Sequence, residues 1–577
     1  MMDRLPLSRT GRPWLAMAAA AWMLAACGGS GGADPIALDS DTAQQVADVL
    51  RMDHFDSAAL PPGIAEKLRD AKNGPRQMKA RYEQRLAGLI AQPDVLSPDA
   101  SPWYATLQST LDEPNTRQLY AMNNLLAKNS NHGYQPLPGA KAFSFPLDDR
   151  IQAEYQVGWH FYVGSVVATT GEEFGVQVMY WYVPLLPPDE AAAAGLSPQE
   201  NLVVETHLAI SEAGRQHHRI SPQLVAGTTG LVHYQDAPVA LEVGRNFMRA
   251  RSKDAFFPLD ISAYGVDRSG SQGVALQADL TLLQTKPYVL NGDQGLAPSC
   301  DGTGTLYYSV PALALGEGSS LRIGGKTYPL ASGKLWYDHQ WGTGFMPGGN
   351  VNTPGFRAVV NLAQDNQVGG WDWMFGAFDD GTEIALSALH TVDGLPWLNQ
   401  SGPTPPAGVF TQKAIGSYID AQGHTVRAVG RMQVSEWVKG GVSHGPYQAP
   451  GVWYPNRFDI TLDAAPGLPE DKRTWSLVPI VSGGQQGFFA AGPHYSEGAA
   501  YVEQAGQRTG RGFMESTGYV DATRQSLALS HVAATPAHLA QLSASTEVTD
   551  AIKAESIAYL AEHGQPTGVV CRGIDAY

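Results

Sequence analysis

"AEYQVGWHFYVGSVVATTGEEFGVQVMYWYVPL", residues 153–185, decides the fold. Two runs of aromatic and β-branched residues flank the turn-forming Thr169-Thr170-Gly171-Glu172-Glu173. That pattern predicts a β-hairpin. The same pattern continues in "TLYYSVPAL" (305–313) and in "SSLRIGGKTYPLASGKLWYDHQWG" (319–342), with Gly324-Gly325 as a turn. In "FRAVVNLAQDNQVGGWDWMFGAFDDGTEIALSAL" (356–389), Asp379-Asp380-Gly381 is a strong hairpin signal. Strand patterns with short turns run to about residue 532, giving roughly 16–20 strands at the usual spacing. No short period recurs, which disfavours a propeller or solenoid. The fold class is therefore mainly β, with two antiparallel barrels or sandwiches in tandem. They are expected at 139–345 and 346–532, divided by the Gly/Pro/Asn-rich stretch 344–355.

Composition agrees. The chain has 577 residues, more than one core usually fills, and its 63 Gly and 39 Pro suit a turn-rich β protein. Charged residues make up only 16% and the formal net charge is −16, with no long basic run. Nucleic acid is excluded as a natural partner on that ground. Helical periodicity is confined to the flanks. It lies in 42–92 and 115–128, within an N-terminal tether and extension (28–138), and in 535–563, within a C-terminal tail (533–577).

The N-terminus reads as an export signal. Arg4, Arg9 and Arg12 precede an apolar run, Trp14 to Ala26, that is too short to span a bilayer. It ends in Leu24-Ala25-Ala26-Cys27 followed by a Gly/Ser tether, which resembles a bacterial lipoprotein signal in which Cys27 is acylated. Gly28 then fits outer-membrane sorting, facing the periplasm or the exterior. An ordinary cleaved signal with an incidental Cys is the alternative. Two Cys remain, Cys300 and Cys571. An oxidising compartment permits a disulfide between them, and two unrelated buried thiols are the alternative. Three scattered Cys cannot build a thiolate zinc site, and nothing in the sequence asks for a metal or another cofactor.

Two stretches concentrate chemistry. In Trp336-Tyr337-Asp338-His339-Gln340-Trp341, strand alternation puts Tyr337, His339 and Trp341 on one face and Trp336, Asp338 and Gln340 on the other. An imidazole between two aromatics inside a barrel would be a proton-transfer group in a dry pocket, and a hydrogen-bonded structural His is the bland reading. In "GGWDWMFGAF" (369–378), Asp372 stands among Trp371, Trp373 and Met374. Burial would raise its pKa and make it a proton donor, whereas an Asp bonded to backbone or an Arg would be structural. The Gly-x-Ser-x-Gly match around Ser443 lacks the strand-turn-helix context of a nucleophile elbow.

Six segments in order resemble one family: "KPYVLNGDQG" (286–295), "YYSVPAL" (307–313), "GGKTYPLASGKLWYDHQWG" (324–342), "GGWDWMFGAFDDGTEIAL" (369–386), "YSEGAAYVE" (495–503) and "GRGFMESTGY" (510–519). They look like those of hydroxyneurosporene synthase, the carotenoid 1,2-hydratase, and its lipocalin-like relatives, which include pericyclases. The resemblance implies two tandem lipocalin-like barrels and a pocket for a hydrophobic, isoprenoid or polyene-type substrate. It implies a catalytic trio of Asp372, His339 and Trp341, with Tyr337, Tyr308, Trp371, Trp373 and Trp159 lining the pocket. These residues would meet near the junction of the barrels, with Asp338 pointing away as a structural acid. Gln340 stands where the family has Glu, and "GWHFYVG" (158–164) lacks the usual acid of that segment. The implied activity is acid-catalysed hydration or dehydration of a C=C bond. A non-catalytic carrier of a hydrophobic molecule and a pericyclase-type shape catalyst are the alternatives.

Overall fold

The computed structural model describes residues 134–517 apart from internal gaps, the longest being 344–367 and 392–402, together with 571–572. The helical segments expected at both ends lie outside the described residues. Fourteen strands belong to the first half: β1 (Val157–Ala168), β2 (Glu173–Pro184), β3 (Leu202–Glu212), β4 (His217–Ala226), β5 (Val232–Asp236), β6 (Val239–Val243), β7 (Asn246–Ala250), β8 (Leu259–Asp267), β9 (Val274–Leu283), β10 (Val289–Leu290), β11 (Ser299–Cys300), β12 (Gly304–Leu315), β13 (Ser320–Ile323) and β14 (Lys326–Thr343). The second half holds β15 (Val368–Phe378), β16 (Glu383–Thr391), β17 (Phe410–Ile419), β18 (Thr425–Gly440), β19 (Ser443–His444), β20 (Tyr447–Gln448), β21 (Val452–Leu462), β22 (Thr474–Pro479), β23 (Gln486–Phe488), β24 (His494–Gln504) and β25 (Gln507–Thr517). A last strand, β26 (Cys571–Arg572), pairs back with β11.

These strands form two antiparallel barrels. The second closes as a ring in the order β22-β21-β18-β17-β16-β15-β25-β24, with β24 pairing back to β22. The first runs β4-β3-β2-β1-β14-β12-β9-β8-β7-β6-β5. Side chains bridge its seam between β4 and β8: Val266 N–H donates to Ser221 Oγ (2.9 Å), Gln223 Nε2 to Tyr264 O (2.7 Å) and Arg219 to Asp267 (3.0 Å). Asp379-Asp380-Gly381 does turn β15 into β16, with Gly381 at φ +83°.

Burial explains why β1 and β2 are so uniformly apolar. Nearly every residue in both is buried. One face (Tyr162, Val166, Phe174, Tyr180, Tyr182) lines the core of the first barrel. The other face meets the second barrel. Trp336 stacks on Phe375 with ring centroids 5.1 Å apart, and Phe161 packs edge-on against Trp373 and Phe513. A Cβ on Gly175 would come within 2.6 Å of Ala499 Cβ, so the sheets touch there only because Gly175 has none. By contrast β17 and β18 alternate buried with exposed positions, since their outer faces meet water.

The barrels share their orientation. Their tight turns lie together, where Glu173 accepts from Arg511 (2.5 Å) and Tyr501 (2.8 Å). The opposite ends therefore also lie together. That common mouth holds the start of β1, the ends of β2 and β14, the start of β15 and the end of β25.

Candidate functional site between the barrels

The alternation read for the Trp336–Trp341 stretch is what the strand adopts. Tyr337 and Trp341 belong to the inner core of the first barrel, and His339 lies with them. That interior is filled with rings. His160 and His339 stack at 3.9 Å, Tyr162 and Tyr337 at 4.9 Å, and His339 and Trp341 lie 4.6 Å apart. The segment before β1 plugs the barrel end, with Phe143 against Trp341 and Phe145 stacked on Tyr288 at 3.6 Å. Burial lowers the His339 pKa to about 3, although its bond to the Trp159 carbonyl (2.9 Å) pulls the other way. A neutral imidazole with Nδ1–H on that carbonyl is a packing element of this core. Tyr308 belongs to the same core, and its hydroxyl donates to Asp149 (2.5 Å). Burial pushes Asp149 up to about 8, against the hydrogen bonds from Tyr308 and Tyr288.

The expected convergence of His339, Trp341 and Asp372 is corrected by this arrangement. Asp372 points into the other barrel, alternating with Met374 and Phe378 of that barrel's core, where Gln412 donates to it. His339 and Trp341 face the first barrel's interior. The other side chains of β14 and β15 pack against each other between these two interiors, Trp336 against Trp373 and Phe375. The three residues therefore cannot touch one substrate atom together. Of the expected lining residues, Tyr337 and Tyr308 sit with His339. Trp371, Trp373 and Trp159 lie instead on the faces between the barrels.

That seam carries the more reactive constellation. Asp338 enters it from β14. Its carboxyl accepts from Trp336 Nε1 (2.6 Å), from Tyr307 (2.8 Å) and from Ser309. Burial outweighs these three donors and pushes Asp338 up to about 7. Glu515 enters from β25 and accepts from the Trp371 indole N–H (2.5 Å). Burial pushes Glu515 up to about 8; the Trp371 bond opposes this, and the charges of Asp338 and Asp372 add to it. Below these two, Gln177 donates to Glu497 (2.5 Å), which burial and Glu515 hold well above the ordinary carboxylate range. One layer nearer the mouth than Phe161 and Trp373, the Trp159 and Trp181 indoles stack at 4.6 Å and 9°. Alongside, Glu205, His207 and Tyr495 form a hydrogen-bonded chain across the seam (2.6 and 2.8 Å). Glu515 is 9% exposed and Trp371 half-buried, both at the mouth end of their strands.

Glu515 and Glu497 escaped the sequence reading although "GRGFMESTGY" and "YSEGAAYVE" contain them. The signal was an acid sharing a strand face with apolar residues, Glu497 with Tyr495 and Ala499 and Glu515 with Phe513. Two surface grooves, about 580 Å³ over β7–β9 and about 600 Å³ at the turn end, are lined by charges paired with one another, such as Arg249–Glu242 and Lys326–Glu172. Among the described residues no group of three His, Cys, Asp or Glu could hold a metal ion.

The buried acids set a pH dependence of stability. Asp149, Asp338 and Glu515 bind protons more tightly when folded, so their stabilisation is complete below about pH 4 and is lost as pH rises through 7–8. His339, lowered to about 3, works oppositely: its stabilisation is present above its ordinary pKa and is lost as pH falls toward 3. Between about pH 4 and 6.5 the three acids outweigh the one imidazole, so stability already falls with rising pH there, and it falls further up to about pH 8. The melting temperature should therefore decline from about pH 4 to about pH 8. Calorimetry across that range checks it, and Asp338→Asn should flatten the decline.

A family model described as AttH-like matches residues 136–519. No curated protein matches the chain. Among solved structures, an AttH protein of Nitrosomonas europaea is 18% identical, with a TM-score of 0.47, over 67% of this chain and 99% of its own. Kievitone hydratase of Nectria haematococca is 12% identical, with a TM-score of 0.41, over 68% and 98%. CghA with Sch210972 is 10% identical, with a TM-score of 0.25, over 69% and 97%.

Proposed function

The chain belongs to the AttH-like family, and from that premise and the seam geometry we propose that it adds water to, or removes it from, a C=C bond of a hydrophobic substrate held between the barrels. The observation that carries this reading is Glu515: a carboxyl kept protonated near neutral pH, bonded to the Trp371 indole, at the mouth of an aromatic seam. Its proton passes to the less substituted alkene carbon and leaves a tertiary cation on the other. The π faces of Trp371 and Trp159 stabilise that cation by about 0.5–2 kcal/mol each. Water entering from the mouth adds to it, and the Glu515 carboxylate takes back a proton from the resulting oxonium, restoring the acid. Asp338 acts on Glu515 through its field, disfavouring the ionised form.

The test is an incubation with mixed isoprenoid and polyene lipids in heavy-oxygen water. Products carrying one labelled oxygen are expected, with a rate that falls as pH passes about 8. A ligand recovered unlabelled and unchanged at every pH would sink hydration. It would favour the second reading, a carrier, which needs an apolar lining and no proton transfer.

The Leu24–Cys27 segment supports action at the bacterial cell envelope, anchored by an acylated Cys27. Mass spectrometry of the mature N-terminus is expected to show acyl chains on Cys27. An unmodified Cys27 in membrane-extracted protein would end that reading.

A further inference from the structure

We propose that Cys300 and Cys571 form a disulfide that clamps β26 to the first barrel. The two residues are 271 positions apart, and besides Cys27 they are the only Cys in the sequence. The fold nevertheless sets them directly opposite each other. β11 and β26 pair antiparallel, Ser299 with Arg572 and Cys300 with Cys571. Facing residues of an antiparallel pair have Cα atoms about 4.5–5.5 Å apart. A disulfide spans about 4.4–6.8 Å, so no backbone movement is needed.

The shortness of this ladder adds a second argument. β11 and β26 have two residues each and form a sheet of their own. A hairpin-sized pair of strands is marginal in water even when a short turn joins them. Here the connecting chain is far longer, so closing it costs more entropy than two residue pairs return. A covalent bond between the two facing residues supplies what the ladder lacks.

The place also has a consequence. β11 ends three residues before β12, whose Thr305 accepts from Gln340 and whose Tyr307 and Ser309 hold Asp338. Gly304 pairs with Thr343 at the mouth, and β25 leaves the second barrel at Thr517, also at the mouth. The bond thus fixes β26 beside the open end of the seam.

The chemistry is an ordinary thiol–disulfide exchange. Each Sγ–H loses its proton, an Sγ–Sγ bond forms, and the two electrons pass to a disulfide oxidant, which becomes two thiols. Oxidised glutathione serves in the test.

The full-length chain would be equilibrated with excess oxidised glutathione, denatured without reductant, alkylated and mapped by mass spectrometry. The expected product is one peptide pair joined through Cys300 and Cys571. Alkylation or separate glutathionylation of both would overturn the proposal. A second measurement is protease nicking between residues 518 and 570. The C-terminal fragment should stay attached on a non-reducing gel, leave on reduction, and leave without reduction in Cys571→Ser. Release from the oxidised wild-type chain before reduction would also overturn it.

Discussion

Lys286→Met should cost the fold about 3–5 kcal/mol, the usual loss when one partner of a buried ion pair is removed. Lys286 follows β9 in the first barrel and reaches into the β15–β16 and β17–β18 turns of the second. Its Nζ donates to Glu383 (2.5 Å), to the Gly381 carbonyl (2.6 Å) and to the Asp420 carbonyl (2.8 Å). Lys286 is 8% exposed and Glu383 3%. Burial alone would push Glu383 far up, and even with Lys286 opposing, it stands at about 7. Without the ammonium, Glu383 must take a proton or stay buried as a lone anion, and two carbonyls lose their donor. The neighbouring backbone gives no relief, since a Cβ on Gly423 would lie 2.5 Å from Pro287 Cδ. Chemical denaturation at pH 7.5 measures the loss. A second substitution, Glu383→Leu, should recover much of it, because replacing the whole pair removes the stranded charge. A loss under about 1 kcal/mol for Lys286→Met would mean that water screens the pair.

The same residue shows what could be read from the sequence. Lys286 opens "KPYVLNGDQG", one of the six segments that suggested the family, and its role is a clamp between barrels. The hairpins were legible because their turns are local: Asp379-Asp380-Gly381 needs only Gly381 at positive φ. The face on which Tyr337, His339 and Trp341 lie was legible because alternation is local too. What Asp372 faces was not. Its neighbours are set by Gln412 on β17, 40 positions away, and by the closure of β24 on β22. The apolar character of both faces of β1 and β2 announced burial on two sides. A single chain read in order cannot say that the second face meets β24 and β25. That pairing is what turns Glu515, an inconspicuous strand acid, into the acid of the seam.

Glu515→Gln should lower turnover by roughly 10²–10⁴, the usual size of a lost general acid, while leaving ligand affinity nearly unchanged. The amide keeps an oxygen for the Trp371 indole N–H and fills the same volume, so the seam stays packed. It cannot release a proton to an alkene. Asp338→Asn separates proton transfer from field effects. Removing that carboxyl should let the Glu515 pKa fall, shifting the upper limb of the pH–rate profile to lower pH with a smaller loss at pH 6. His339→Gln provides the opposing control. Its ring touches His160 and Trp341 inside the first barrel and faces away from the seam. It should therefore lower stability by about 1–3 kcal/mol through lost packing and leave turnover per folded molecule within a few-fold. Steady-state kinetics on folded fractions, with thermal melts alongside, decides between the two locations. If His339→Gln lost turnover as deeply as Glu515→Gln at equal stability, the chemistry would belong inside the first barrel. If neither lost any while ligand binding persisted, the seam would be a carrier's.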